Sequence, residues 1–105
     1  MGQVQSQAVN IMKKNNNFLK ATKAGTKLDV HHLIPLEYAQ LFNNGFNPNN
    51  VFNLYGVDVN THKLLNKDWS DFKARFKKLG IEPTKQDVLD FAAKTLKDYG
   101  SKLVQ

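Results

Sequence analysis

Val30-His31-His32-Leu33-Ile34-Pro35 is the stretch whose reading decides the fold, together with Val51-Phe52-Asn53-Leu54-Tyr55-Gly56-Val57-Asp58-Val59-Asn60-Thr61-His62 further on. All three histidines of the chain lie in these two runs. Lys27 to Leu33 predicts a short strand, with Leu28, Val30 and Leu33 as its apolar members. Pro35 ends it, because proline has no N–H to give to a ladder. Val51 to Val57 predicts a second strand, antiparallel to the first. Between them, Leu36 to Phe42 reads as one or two helical turns. The interval 43–50 holds a Gly, a Pro and five Asn, and is a loop by every turn signal. Asp58 is a good N-cap, since its carboxylate can accept N–H bonds from a first helical turn. The helix that starts there carries His62 about one turn in. Leu65, Trp69, Phe72, Phe76 and Leu79 follow at spacings of three and four, an apolar stripe running to a stop at Gly80. Asn66-Lys67-Asp68 is read as a break between two helices.

Outward from this centre the pattern is helical. Residues 3–20 form an N-terminal helix in this reading, with Val4, Ala8, Ile11 and Met12 at helical spacing. Asn15-Asn16-Asn17 weakens its end, and Gly25 closes the segment. On the other side Thr84 caps a last helix. Val88, Leu89, Ala92, Leu96 and Tyr99 give that helix its buried face, and Gly100 ends it. The expected class is α+β, mainly α, as one domain over 1–105. It divides into the helix 3–20, a hairpin-plus-helix centre at about 27–66, and helices over about 67–100. A two-stranded ribbon is not stable alone in water, so the flanking helices must wrap it.

Composition narrows the chemistry. A chain of 105 residues supports one modest core, burying about two-thirds of its unfolded surface. Hydrophobic residues at 41%, with seven Phe, three Tyr and Trp69, argue for a folded globule. Fifteen Lys and Arg against nine Asp and Glu leave a net charge of +6. Such a balance favours polyanions: nucleic acid or, less specifically, a membrane surface. The absence of cysteine excludes disulfides, thiolate catalysis and Cys-based zinc sites, and makes the domain indifferent to redox compartment. No run approaches ~20 apolar residues, so no membrane segment is expected. Met1 to Gln7 has neither a basic n-region nor an apolar h-region, so no signal peptide is expected, and localisation stays open.

Three histidines on a hairpin and the helix after it can supply what phosphodiester hydrolysis needs. A neutral imidazole, with a pKa near 6.5, can take the proton of water. A divalent metal can neutralise charge on the phosphoryl oxygens and on the departing alkoxide. One histidine as base and two other residues as ligands suffice.

The run His31-His32-Leu33-Ile34-Pro35 resembles the Asp/His-His-Ile-x-Pro signature of HNH endonucleases, members of the His-Me (ββα-metal) finger group. The likeness continues through Asn53-Leu54 to His62, nine residues after that Asn. It spans Leu28 to about Trp69, roughly two-fifths of the chain. It implies a ββα-metal core. It also implies that His32 is the general base and that His31 and His62 are ligands of one divalent ion: Mg, Mn, Ni or Zn. Asn53, placed with His32 in the catalytic set, would bond backbone across the loop and fix the base's strand against the helix. Asp29 is expected to accept an imidazole N–H and set a tautomer. Asn66, one turn after His62, is expected to lean toward metal or phosphate.

The chain departs from the family pattern in two places. Related nuclease toxins often carry a His where Asn66 stands. Many HNH domains have Cys pairs where this chain has Asp58 and Thr61, so no structural zinc is expected. That cysteine-free style is found among DNase bacteriocins and bacterial polymorphic toxins.

Lys63, Lys67, Lys73 and Arg75 lie on or near the metal-bearing helices and are expected to meet phosphates, which gives affinity without sequence information. The leading expectation is thus a metal-dependent endonuclease acting on DNA, or on RNA, with little sequence specificity. As a toxin domain it would be exported within a larger protein, act in the target cell's cytoplasm and be checked by an acidic immunity protein. The alternatives are a phage or mobile-element nuclease, and a non-catalytic basic module that binds nucleic acid.

Overall fold

A computed structural model describes residues 3–13, 18, 20, 25, 27–42 and 46–105. The elements are α1 (Gln3–Met12), β1 (Asp29–His32), β2 (Leu54–Val57), α2 (Val59–Leu79) and α3 (Lys85–Tyr99). Short 3-10 turns lie at Leu36–Leu41, Val51–Asn53 and Gly100–Lys102. The class is α+β and mainly α. No helix among the described residues is long and apolar enough to cross a membrane. Of the expected helix over 3–20, Gln3–Met12 is described as a continuous helix, and Phe18 and Lys20 are also helical. Asn15-Asn16-Asn17, the side chain of Val4 and the loop residues Asn43-Asn44-Gly45 fall outside the described residues.

β1 and β2 pair antiparallel, with Asp29 opposite Val57, Val30 opposite Gly56, His31 opposite Tyr55 and His32 opposite Leu54. Alternation puts Val30 on one face of the ribbon and His31 on the other. Val30 and Leu54 pack with Ala8 and Met12 of α1 and with Phe18. Gly56 fits here because a Cβ would stand 2.7 Å from Cδ2 of the Phe18 ring. The outer edge of β2 is also engaged: Gly56 N–H donates to Val104 O (2.7 Å) and Val104 N–H to Gly56 O (2.8 Å).

The strand expected over 51–57 begins at Leu54. Val51–Asn53 is wound instead, because the Asn50 side chain accepts from Phe52 N–H (3.0 Å) and Asn53 N–H reaches back to Asn50 O (2.8 Å). The helix break expected at Asn66-Lys67-Asp68 does not exist, so the divide placed near 66 and 67 falls inside one continuous helix, α2. Propensity penalties for such residues are under ~0.7 kcal/mol each. Burying Leu65 and Trp69 on either side of them is worth ~1.5–3 kcal/mol per side chain.

The Asp58 carboxylate accepts from Thr61 N–H at 3.0 Å and caps α2. The Thr61 hydroxyl and backbone N–H bonding to Asp58 hold its carboxyl below the usual range. Gly80, at φ 72°, closes the helix. Ile81 N–H bonds Phe76 O and Gly80 N–H bonds Lys77 O, the paired bonds of a Schellman stop.

Thr84 and Asp87 form a reciprocal capping box at the start of α3. Its buried face is Val88, Ala92 and Thr95, while Leu89 is exposed. The second core joins Trp69 and Phe72 of α2, Val88 and Ala92 of α3, and Ile34 and Tyr38 from the segment after β1. Phe91 adds ring contacts to Trp69 and Phe72, each 4.7 Å between centroids. Tyr99 donates to Asp68 at 2.7 Å and ties α3 to α2. The ribbon is thereby clamped between α1 on one side and the helical layer on the other.

Candidate active site

His31 and His32 are covalent neighbours on a strand, so their side chains start toward opposite faces. Both are more than nine-tenths buried. His31 shares its face with Asp29 and meets the first turns of α2, where its ring stands edge to face with His62 at 5.5 Å between centroids. His32 meets the loop instead, where its Nε2 lies 2.8 Å from Asn49 Oδ1. Because a carboxamide oxygen only accepts, Nε2 carries the proton and Nδ1 keeps the lone pair. Sequence reading missed Asn49. It is one of five Asn in an interval where composition marks them all as loop, and only its burial sets it apart.

His62 is oriented by Asp29. Its Nδ1–H donates to Asp29 Oδ2 at 3.0 Å across the gap between β1 and α2. The lone pair is then on Nε2, as in carboxylate–histidine–metal arrangements. His31 Nε2 is buried without a hydrogen-bond partner among the described residues. Burial, with His62 and then His32 nearby, lowers the His31 pKa from 6.5 to about 4. His31 is therefore neutral at physiological pH.

Two imidazoles, one with an orphaned nitrogen, fit a shared divalent ion. With metal–nitrogen bonds of about 2.0–2.1 Å and ring centroids about 1 Å further on, two ligating imidazoles at a tetrahedral angle stand about 5 Å apart. The observed 5.5 Å is close to that. No group of three or more His, Cys, Asp or Glu side chains gathers as a metal cage among the described residues. The protein donors brought together are the two histidines, with the Asn66 amide one turn beyond.

Asn53 pins the loop. Its Oδ1 accepts from Ile34 N–H (2.8 Å), and its Nδ2 donates to Ile34 O (3.2 Å) and Pro48 O (2.9 Å). Leu33 N–H also donates to Asn53 O at 2.9 Å. One buried amide thus fixes the end of β1, the start of β2 and the segment that carries Asn49.

The three histidines line a cleft of 610 Å³ whose walls also include Pro35, Leu36, Asn66, Trp69 and Ser70. Both unpartnered buried side-chain nitrogens among the described residues, His31 Nε2 and Trp69 Nε1, belong to residues of this cleft. Of the four basic residues expected to meet phosphate, Lys73 lines it. Lys67 is paired with Asp71 at 2.8 Å. Arg75 lies over the Phe72 and Phe76 rings. Lys63 is exposed and off the cleft wall. Asp29 acts from behind His62 and does not line the cleft.

No protein-family model matches the chain, and neither the curated proteins nor the solved structures contain a match to it.

Proposed function

We propose that the protein is a metal-dependent endonuclease built on a ββα-metal core, with DNA as its main substrate. The observation that carries this reading is the division of the adjacent histidines. One is a neutral imidazole facing a second imidazole. The other is a fixed tautomer whose Nδ1 is left to accept a proton. A divalent ion held by His31 and His62 would supply charge neutralisation at the scissile phosphate.

The remaining work falls to the chain's own residues. His32 Nδ1 takes the proton of the attacking water while Asn49 holds the ring through Nε2. Asp29 keeps His62 in the tautomer that presents Nε2. Asn53 keeps the strand carrying the base and the loop carrying Asn49 in one frame. Asn66 and Ser70 line the cleft where the substrate strand would lie. The net charge of +6 supports a polyanionic substrate.

Incubating supercoiled plasmid with the protein and Mg²⁺, Mn²⁺, Ni²⁺ or Zn²⁺, with and without chelator, tests the proposal. Nicking that needs the ion supports it, and an intact plasmid under every condition overturns it. The resemblance to cysteine-free nuclease toxins extends the proposal to a toxin restrained by an acidic inhibitor. Expression in bacteria tests that part: the wild type should arrest growth and His32→Ala should not.

A further inference from the structure

The cleft does not end at the histidines. Its α2 wall continues through Asn66 and Ser70 to Lys73. At about 100° per residue these side chains share one face of the helix with His62. The opposite wall is the start of the 3-10 turn, with Leu36 and Glu37. Lys73 Nζ stands 3.1 Å from Glu37 Oε2, an ion pair that ties the two walls together. Among the described residues Lys73 is the one Lys or Arg of the cleft, and Glu37 its one carboxylate.

We propose that Lys73 binds a backbone phosphate beyond the scissile one, and that Glu37 competes with the substrate for it. This rests on the nuclease reading. His62 and Lys73 are eleven positions apart, about 16 Å along the helix axis. That is further than one phosphodiester group spans. A strand with its scissile phosphate at His31 and His62 therefore lays a later phosphate toward Lys73. Both members of the ion pair are largely solvated, with 64% and 48% of their side chains exposed. Such pairs are weak, so a phosphate can displace the carboxylate.

Anisotropy titration of a short fluorescein-labelled DNA duplex, with chelator present so that nothing is cut, tests the competition. Glu37→Gln should tighten binding about two- to fivefold, the range set by an exposed ion pair. Lys73→Met should weaken binding and lower the slope of log affinity against log salt by about one, the loss of a single phosphate contact. In the double variant, Glu37→Gln should add nothing to Lys73→Met. Equal tightening by Glu37→Gln in both backgrounds would overturn the proposal, because Glu37 would then act only as a general charge. Unchanged affinity and salt slope in Lys73→Met would overturn it too. Both positions are exposed, so the fold tolerates the changes. Plasmid nicking with the subsite cycle additive sinks the subsite alone. An intact plasmid with the cycle coupled sinks catalysis and leaves a nucleic-acid subsite. An intact plasmid together with no binding by any variant sinks both.

Discussion

His31 faces the His62 ring while His32, one residue on, donates to Asn49, and each partner fixes what its imidazole can do. Calorimetric titration of the chain with Ni²⁺ or Zn²⁺ should show His31→Ala and His62→Ala losing affinity, with His32→Ala close to wild type. Asp29→Asn should cost about 10–100-fold in metal affinity, the usual effect of removing the group that orients a ligating histidine. Equal affinities in all these variants would remove the ligand assignment. The buried His31 also makes a statement about acid. Its pKa is about 4 in the fold and 6.5 as the ordinary value, so below pH 6.5 the unfolded chain binds the proton first. The metal-free protein keeps full stability from this source above pH 6.5 and loses it as pH falls toward 4. The loss is about 3 kcal/mol at the limit. Urea unfolding at pH 7 and pH 4.5 should show the drop in wild type and a smaller one in His31→Gln; identical drops would contradict it. The sequence showed the three histidines and, through the resemblance, the roles proposed for them. It could not show Asn49, whose importance is its 2.8 Å contact with a ring seventeen residues away.

At the scale of elements, the ribbon depends on two small residues. Asn53 makes three side-chain hydrogen bonds to backbone, all within 3.2 Å. Asn53→Ala leaves buried Ile34 groups unsatisfied and should destabilise by about 2–3 kcal/mol. Cleavage should slow with it, since the bond set fixes the base's strand and the Asn49 loop together. Unchanged melting with full activity would make Asn53 a passenger. Gly56→Ala places a Cβ against the Phe18 ring and should cost about 1–3 kcal/mol, read as a lower melting temperature. Periodicity predicted α2 from its apolar stripe, and Asp58, Gly80 and Thr84 marked the helix ends where they fall. It failed at Asn66-Lys67-Asp68, where a polar run resembles a loop but sits on the solvent side of a stripe whose burial outweighs local propensity. It also drew β2 three residues too long, because alternation in Val51-Phe52-Asn53 cannot reveal a turn fixed by the Asn50 side chain.

At the scale of the molecule, a net charge of +6 is spread mostly outside the cleft, in which Lys73 is the single Lys or Arg among the described residues. Affinity for DNA should therefore come largely from general phosphate contacts and fall steeply with salt, in line with counterion release. Composition gave that much. It could not place the cleft, whose walls come from β1, the turn after it and α2, or the Glu37–Lys73 pair that spans it. The central claim is that this cleft cuts phosphodiesters with His32 as base. The most direct measurement is the rate of plasmid nicking by wild type and His32→Ala at matched, saturating divalent ion, with bound ion verified in both. The expected result is ion-dependent nicking by wild type and a fall of about 10²–10⁴-fold in His32→Ala, the usual worth of a general base. No nicking by folded, ion-loaded wild type, or equal rates in the two proteins, would contradict it.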